Sequence, residues 1–161
     1  MPTHKFLEMV FCLAWNHREQ QYQRFVCDRF SILFQIDLLN LFEKGLKIDH
    51  KQIFDIVAHG DSTPNKKPSP EIYEWALEKL RLPSQACIAI EDSPRGLDAS
   101  LKANISTIVT PSILTLGEEF KGAKLVVSDL GEPDRAFELI AGKDFGHKFV
   151  NADLLSKVID I

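Results

Sequence analysis

No apolar run in this sequence approaches the ~20 residues that a membrane-spanning helix needs. Cysteine is scarce. Cys12, Cys27 and Cys87 are odd in number and lack CxxC or zinc-ligand spacing. That excludes a disulfide framework and points to reduced thiols in a reducing compartment. Excess positive charge is missing too: the formal net charge is −4 and no basic stripe is visible. Nucleic acid is therefore not an expected partner, and neither is a membrane. An export signal is also wanting. Lys5 precedes an apolar stretch from Phe6 to Trp15, but Glu8 interrupts it. His17, Arg18, Glu19 and Gln20 stand where a small-residue cleavage site belongs. The expected location is the cytoplasm, or an organelle stroma or matrix, and not the exterior. The five histidines show no ligand spacing, and the sequence has no internal repeat or low-complexity segment.

What is present suits one domain. The chain has 161 residues, 45% of them hydrophobic and 26% charged, enough for a full-sized core. From residue 53 the pattern is orderly. Strands are expected at 54–58, 86–90, 107–110 and 125–127, and helices at 71–80, 94–103, 133–140 and 153–159. Strands alternating with helices at this spacing indicate βαβ units and a parallel sheet, an α/β fold. Residues 1–37 differ. Phe6, Met9, Val10 and Leu13 recur at helical spacing, whereas "QYQRFVCDRFSILFQID" carries no turn signal. An irregular or helical segment is expected there, followed by a second helical period at Leu38, Leu39, Phe42 and Leu46.

The chemistry concentrates in "ACIAIEDSPRGLDAS", residues 86–100. A short apolar run reads as a strand buried on both faces. Glu91 and Asp92 follow it, then Ser93 and Pro94 as N-cap and first helical residue. Two carboxylates thus stand at the carboxyl end of a buried strand, where open α/β sheets put their ligands. Burial there is costly unless a cation or strong donors offset it. Taken alone, the pattern fits a solvated acidic turn equally well. A second stretch, "GDSTPNKKPSPEIY", bears on the choice. Lys67 lies 24 positions before Glu91 (91 − 67), one helix plus one strand. That connection carries Lys67 to the sheet edge of Asp92. An ammonium beside two carboxylates can hold a phosphate oxygen, while Asp92, with or without Glu91, offers hard oxygen ligands to Mg²⁺. Ser69–Pro70 is expected to open its helix as Ser93–Pro94 does.

The stretches "KKPSPEIYEWALEKL", "CIAIEDSPRGLDASLKAN" and "TIVTPS" resemble the haloacid dehalogenase superfamily. They are most similar to its CbbY-like sugar-phosphate phosphatases, near relatives of β-phosphoglucomutase, and "LVVSDLGEPDRAFELIAG" extends the likeness. The resemblance implies a three-layer, Rossmann-like parallel sheet, Mg²⁺ as cofactor and a phosphorylated sugar as substrate. It implies that Lys67 neutralises phosphate and orients the nucleophile, and that Asp92 is a metal ligand. Glu91 is then a ligand or a neighbouring partner, Ser93 caps the helix beside the phosphate, and Lys66 lines the entrance. The family's nucleophile is the first aspartate of an Asp-x-Asp pair near the N-terminus, and no Asp-x-Asp occurs in this sequence. Ser31 lies where the second motif belongs, without the motif around it. Residues 38–161 thus resemble the C-terminal part of the core, without the first-motif strand and the cap domain. The expected function is that of a Mg²⁺-dependent phosphatase homologue with absent or very low activity of its own. Two alternatives stand beside it: a non-catalytic Mg²⁺/phosphate-binding or partner-completed module, and the product of a truncated or frameshifted reading frame. The open edge left beside the strand 86–90 invites self-association or a complementing chain. The N-terminal segment either covers that edge or is non-native.

Overall fold

The computed structural model describes residues 9–16, 21–28 and 56–58 as strands, the first two as backbone only, and residues 61–159 throughout. The expected helix at 38–46 and Ser31 lie outside the described residues. The elements run β1 (Met9–Asn16), β2 (Gln21–Asp28), β3 (Ile56–Ala58), α1 (Glu71–Leu80), β4 (Cys87–Glu91), α2 (Pro94–Lys102) and β5 (Ser106–Val109). After these come β6 (Leu125–Val127), β7 (Leu139–Gly142) and α3 (Ala152–Ile159). Among the described residues they form one sheet in the order β3-β2-β1-β4-β5-β6-β7. Strands β4, β5 and β6 are parallel, and β7 closes that side antiparallel to β6.

The core follows from the strand period. All five residues of β4 are buried, and they alternate between two faces. Cys87 and Ala89 pack with Ile72, Tyr73 and Ala76 of α1 and Ala99 of α2. Ile88 faces the other way, with Ile108, Leu125, Leu154, Leu155 and Val158, so α3 covers the opposite face. The small residues of β4 let α1 and α2 come close beneath its carboxyl end. Leu154 is 1% exposed at the centre of the second face. Leu154→Ala is expected to cost about 2–5 kcal/mol, the usual range for a buried leucine, read as a lower urea midpoint with unchanged slope.

Two expectations are corrected. The N-terminal segment expected to be irregular or helical contains a β-hairpin, β1 pairing β2 from Met9↔Asp28 to Asn16↔Gln21. The run "MVFCLAW" is apolar at nearly every position, so it satisfies a helical period and a buried strand alike. The edge of β4 decides the matter. β1 pairs there antiparallel, Cys12 opposite Ala89 and Leu13 opposite Ile88, and satisfies backbone groups that would otherwise stay open. The second correction concerns 133–140, expected as a helix. Instead Glu132 and Arg135 bridge across a tight turn, and Leu139–Gly142 forms β7. Arg135 reaches Asp129 at 2.9 Å, and that hydrogen bond holds the Asp129 carboxyl below its ordinary range. These local bonds fix the turn where a helix would need them for its own first turn.

Candidate phosphate and metal site at the carboxyl end of β4

The site is built where β4 runs into α2. Ser93 is extended and its Oγ accepts a hydrogen bond from Gly96 N at 3.3 Å, with Pro94 as the first helical residue. Helix α1 begins one residue later than its Ser-Pro pair suggests, at Glu71, and Ser69 Oγ accepts from Glu71 N at 3.4 Å. The Lys67–Pro68 peptide bond is cis. The loop before α1 is tied to α2: Arg95 donates to the Lys67 carbonyl, and Lys102 Nζ to the Pro68 carbonyl at 3.3 Å.

Within this frame Lys67 Nζ lies 2.7 Å from Oε1 of Glu91. The two side chains are only 9% and 1% exposed, so this is a buried pair and not a surface salt bridge. Tyr73 of α1 donates its hydroxyl to the same Oε1. The Lys67 ammonium also sits over the Tyr73 ring, 5.3 Å from its centre. Glu91 Oε2 is buried with no hydrogen-bond partner and faces Gly96, where any side-chain carbon would overlap it.

Asp92 is set differently. Its carbonyl accepts from Thr115 Oγ1 at 2.6 Å, which fixes the loop after β5 against it. Its Oδ2 is buried and without a hydrogen-bond partner. A buried carboxylate oxygen left unpaired among ordered neighbours needs a cation or a proton. Hard carboxylate oxygens suit Mg²⁺, which is content with one or two protein carboxylates. The residues therefore fit the ion, with Asp92 the better placed of the two acids because Glu91 Oε1 is already engaged by Lys67 and Tyr73. No group of three or more potential ligands occurs among the described residues.

The remaining candidates separate. Ser93 is 3% exposed and its hydroxyl serves the helix start. Lys66 is 56% exposed, with Nζ on the Thr63 carbonyl at 3.0 Å and 3.4 Å from Asp61. Beside it, hydrogen bonds from Asn65 hold the Glu71 carboxyl below its ordinary range. Three residues at the site were not anticipated from sequence: Tyr73, Arg95 and Thr115. Tyr73 had a readable signal, since Ile72, Tyr73 and Ala76 lie on one helical face, and a tyrosine buried there needs an acceptor for its hydroxyl. The contacts of Arg95 and Thr115 have no local signature.

Residues 40–110 match the family of haloacid dehalogenase-like hydrolases, and this match spans both Lys67 and the Glu91–Asp92 pair. Over residues 40–110 the chain is similar to haloacid dehalogenase-like hydrolases, and CbbY proteins are among its relatives. It is 43% identical over 82 residues to protein CbbY of Cereibacter sphaeroides, covering 51% of this chain and 36% of that one. It is 36% identical over 66 residues to a phosphorylated carbohydrates phosphatase of Thermotoga maritima, covering 41% of this chain and 31% of that protein. Among solved structures it is similar to a CbbY variant from Rhodobacter sphaeroides in complex with xylulose-1,5-bisphosphate. The identity there is 30%, the TM-score is 0.50, and the match covers 65% of this chain and 55% of that one. The chain thus spans about a third of the length of the curated relatives it matches. No described helix is long and apolar enough to cross a membrane.

Proposed function

We propose that this chain carries the phosphate-holding and metal-holding half of a sugar-phosphate phosphatase site. The observation that carries the reading is the buried Lys67–Glu91 pair beside the unpartnered Asp92 Oδ2 at one strand end. Lys67 presents an ammonium, fixed by Glu91, to a phosphate oxygen. Asp92 holds Mg²⁺, with Glu91 as its neighbour, while Ser93 and the start of α2 border the phosphate and Lys66 lines the entrance. When bound, Mg²⁺ neutralises phosphate charge and orients the group for in-line displacement. The substrate class, a phosphorylated sugar, is taken from the relatives. A covalent route through an Asp-x-Asp pair has no such pair in this sequence to run on. Turnover by this chain alone is accordingly expected to be absent or very low.

One observation favours a second reading, a module that binds Mg²⁺ and phosphate without turnover. The strand beside β4 is β1, it runs antiparallel, and Met9 and Val10 stand at the end nearest Glu91. Apolar residues offer no nucleophile there. A partner strand completing the site, or a second copy of this chain pairing there, would have to displace β1. The frameshift alternative predicts a third outcome, a chain that aggregates and ignores both ligands.

Thermal unfolding with and without Mg²⁺ and inorganic phosphate separates these outcomes. At about 100 times the dissociation constant the ligands should stabilise the fold by about 2.7 kcal/mol, a rise of several degrees. Lys67→Ala and Asp92→Asn should each abolish that rise. Turnover of sugar phosphates that survives both changes would overturn the site assignment.

A further inference from the structure

The buried tyrosine beneath the site has a role beyond packing. Tyr73 is fully buried, and its ring is part of the core between α1 and β4. A phenylalanine would fill the same volume without needing an acceptor. The hydroxyl goes to Oε1 of Glu91, the atom that also receives Lys67 Nζ at 2.7 Å. The same ring lies beneath the Lys67 ammonium at 5.3 Å. Tyr73 therefore touches both members of the pair, the carboxylate with its hydroxyl and the ammonium with its face. The far side of the carboxylate is closed by Gly96. With Tyr73 on one oxygen and the helix backbone against the other, the Glu91 carboxylate has one orientation. That orientation sets where the ammonium stands.

The geometry points to Tyr73 as a positioning residue: by fixing Glu91 Oε1 it holds the Lys67 ammonium at the sheet edge where a phosphate oxygen would meet it. The inference rests on the reading of Lys67 as the phosphate-holding lysine, and it adds the residue that fixes that lysine in place. Tyr73 acts through Glu91 and Lys67 and does not itself meet the phosphate.

The test uses the full chain with ¹⁵N-labelled lysine. A held, buried ammonium exchanges slowly and gives an observable Nζ resonance, assigned to Lys67 by its loss in Lys67→Met. Tyr73→Phe should broaden or remove this resonance while the backbone amide spectrum stays that of a folded chain. In parallel, calorimetry measures inorganic phosphate affinity in the presence of Mg²⁺. Tyr73→Phe should weaken binding about tenfold, the loss expected of one hydrogen bond to a charged group. Lys67→Met, which removes the ammonium itself, should abolish detectable binding whether or not Tyr73 is changed, since the path runs through that lysine. An unchanged Lys67 resonance in Tyr73→Phe overturns the inference, and so does an unchanged phosphate affinity in that variant. If the unmodified chain binds no phosphate, the proposed function fails, yet the resonance still decides the role of Tyr73. Should Tyr73→Phe not fold, Glu91→Gln takes its place, because it keeps the shape and removes the charge that anchors the ammonium. A sharp Lys67 resonance in that variant counts against the inference.

Discussion

Gly96→Ala, ordinarily a favourable change inside a helix, is expected to destabilise this chain by about 2–4 kcal/mol and to abolish its response to Mg²⁺ and phosphate. Alanine in a helix interior normally gains about 1 kcal/mol over glycine. Gly96 lies in the first turn of α2, and an added methyl there would overlap the carboxylate of Glu91. The obstacle is a buried side chain, 2% exposed, that is already bonded to Lys67 and Tyr73. It has no solvent to retreat into. Either the helix start shifts, or Glu91 turns away and leaves the Lys67 ammonium without its carboxylate. Overpacking of this kind costs about 1–3 kcal/mol, and breaking a buried pair costs about 3–5 kcal/mol. Both exceed the helical gain, so the sign is set by Glu91 and not by propensity. Urea unfolding of Gly96→Ala beside Gly117→Ala measures it. Gly117 sits in a loop with open space around it, although its positive φ makes alanine mildly strained there. A Gly96→Ala protein as stable as the parent would show that Glu91 does not lie against α2.

The signals that pointed to the candidate site are local ones. The apolar run 87–90, the acidic pair and the Ser93–Pro94 helix start each have a physical meaning within a few residues. The 24-residue spacing brings Lys67 to the same edge once one helix and one strand are assumed. Helix α1 and strand β6 fall where the periodicity puts them, because their neighbours are plain loop sequence. The misjudged elements depended on something distant. The run "MVFCLAW" fits two periods equally, and only the open edge of β4 makes it a strand. At 133–140 the competitors are Asp129, Glu132 and Arg135, whose side chains close a turn before a helix can begin. Whether Glu91 is a ligand or a neighbour could not be read from "ED", since it hangs on Tyr73 and Gly96 approaching from two helices. Pairings that cross between elements leave no mark on the local pattern.

The second large effect concerns what the buried pair is for. Glu91→Ala should cost about 3–5 kcal/mol, because it takes the carboxylate away from a lysine whose side chain is 9% exposed. Lys67→Met should cost a similar amount by stranding the carboxylate. If the pair served stability, removing all of it should cost more than either single change. The desolvation of two charges argues the reverse: an apolar set of similar volume is often as stable as a buried ion pair, or more so. The triple variant Lys67→Met, Glu91→Leu, Tyr73→Phe is therefore expected to unfold within about 1 kcal/mol of the parent, or above it. Tyr73→Phe belongs in the set because the hydroxyl would otherwise lose this acceptor. The same variant should show no stabilisation by Mg²⁺ and phosphate. Stability recovered without ligand response means that the pair is retained for the anion it can hold. A triple variant that unfolds with the summed cost of the singles means that Lys67, Glu91 and Tyr73 are part of the scaffold itself.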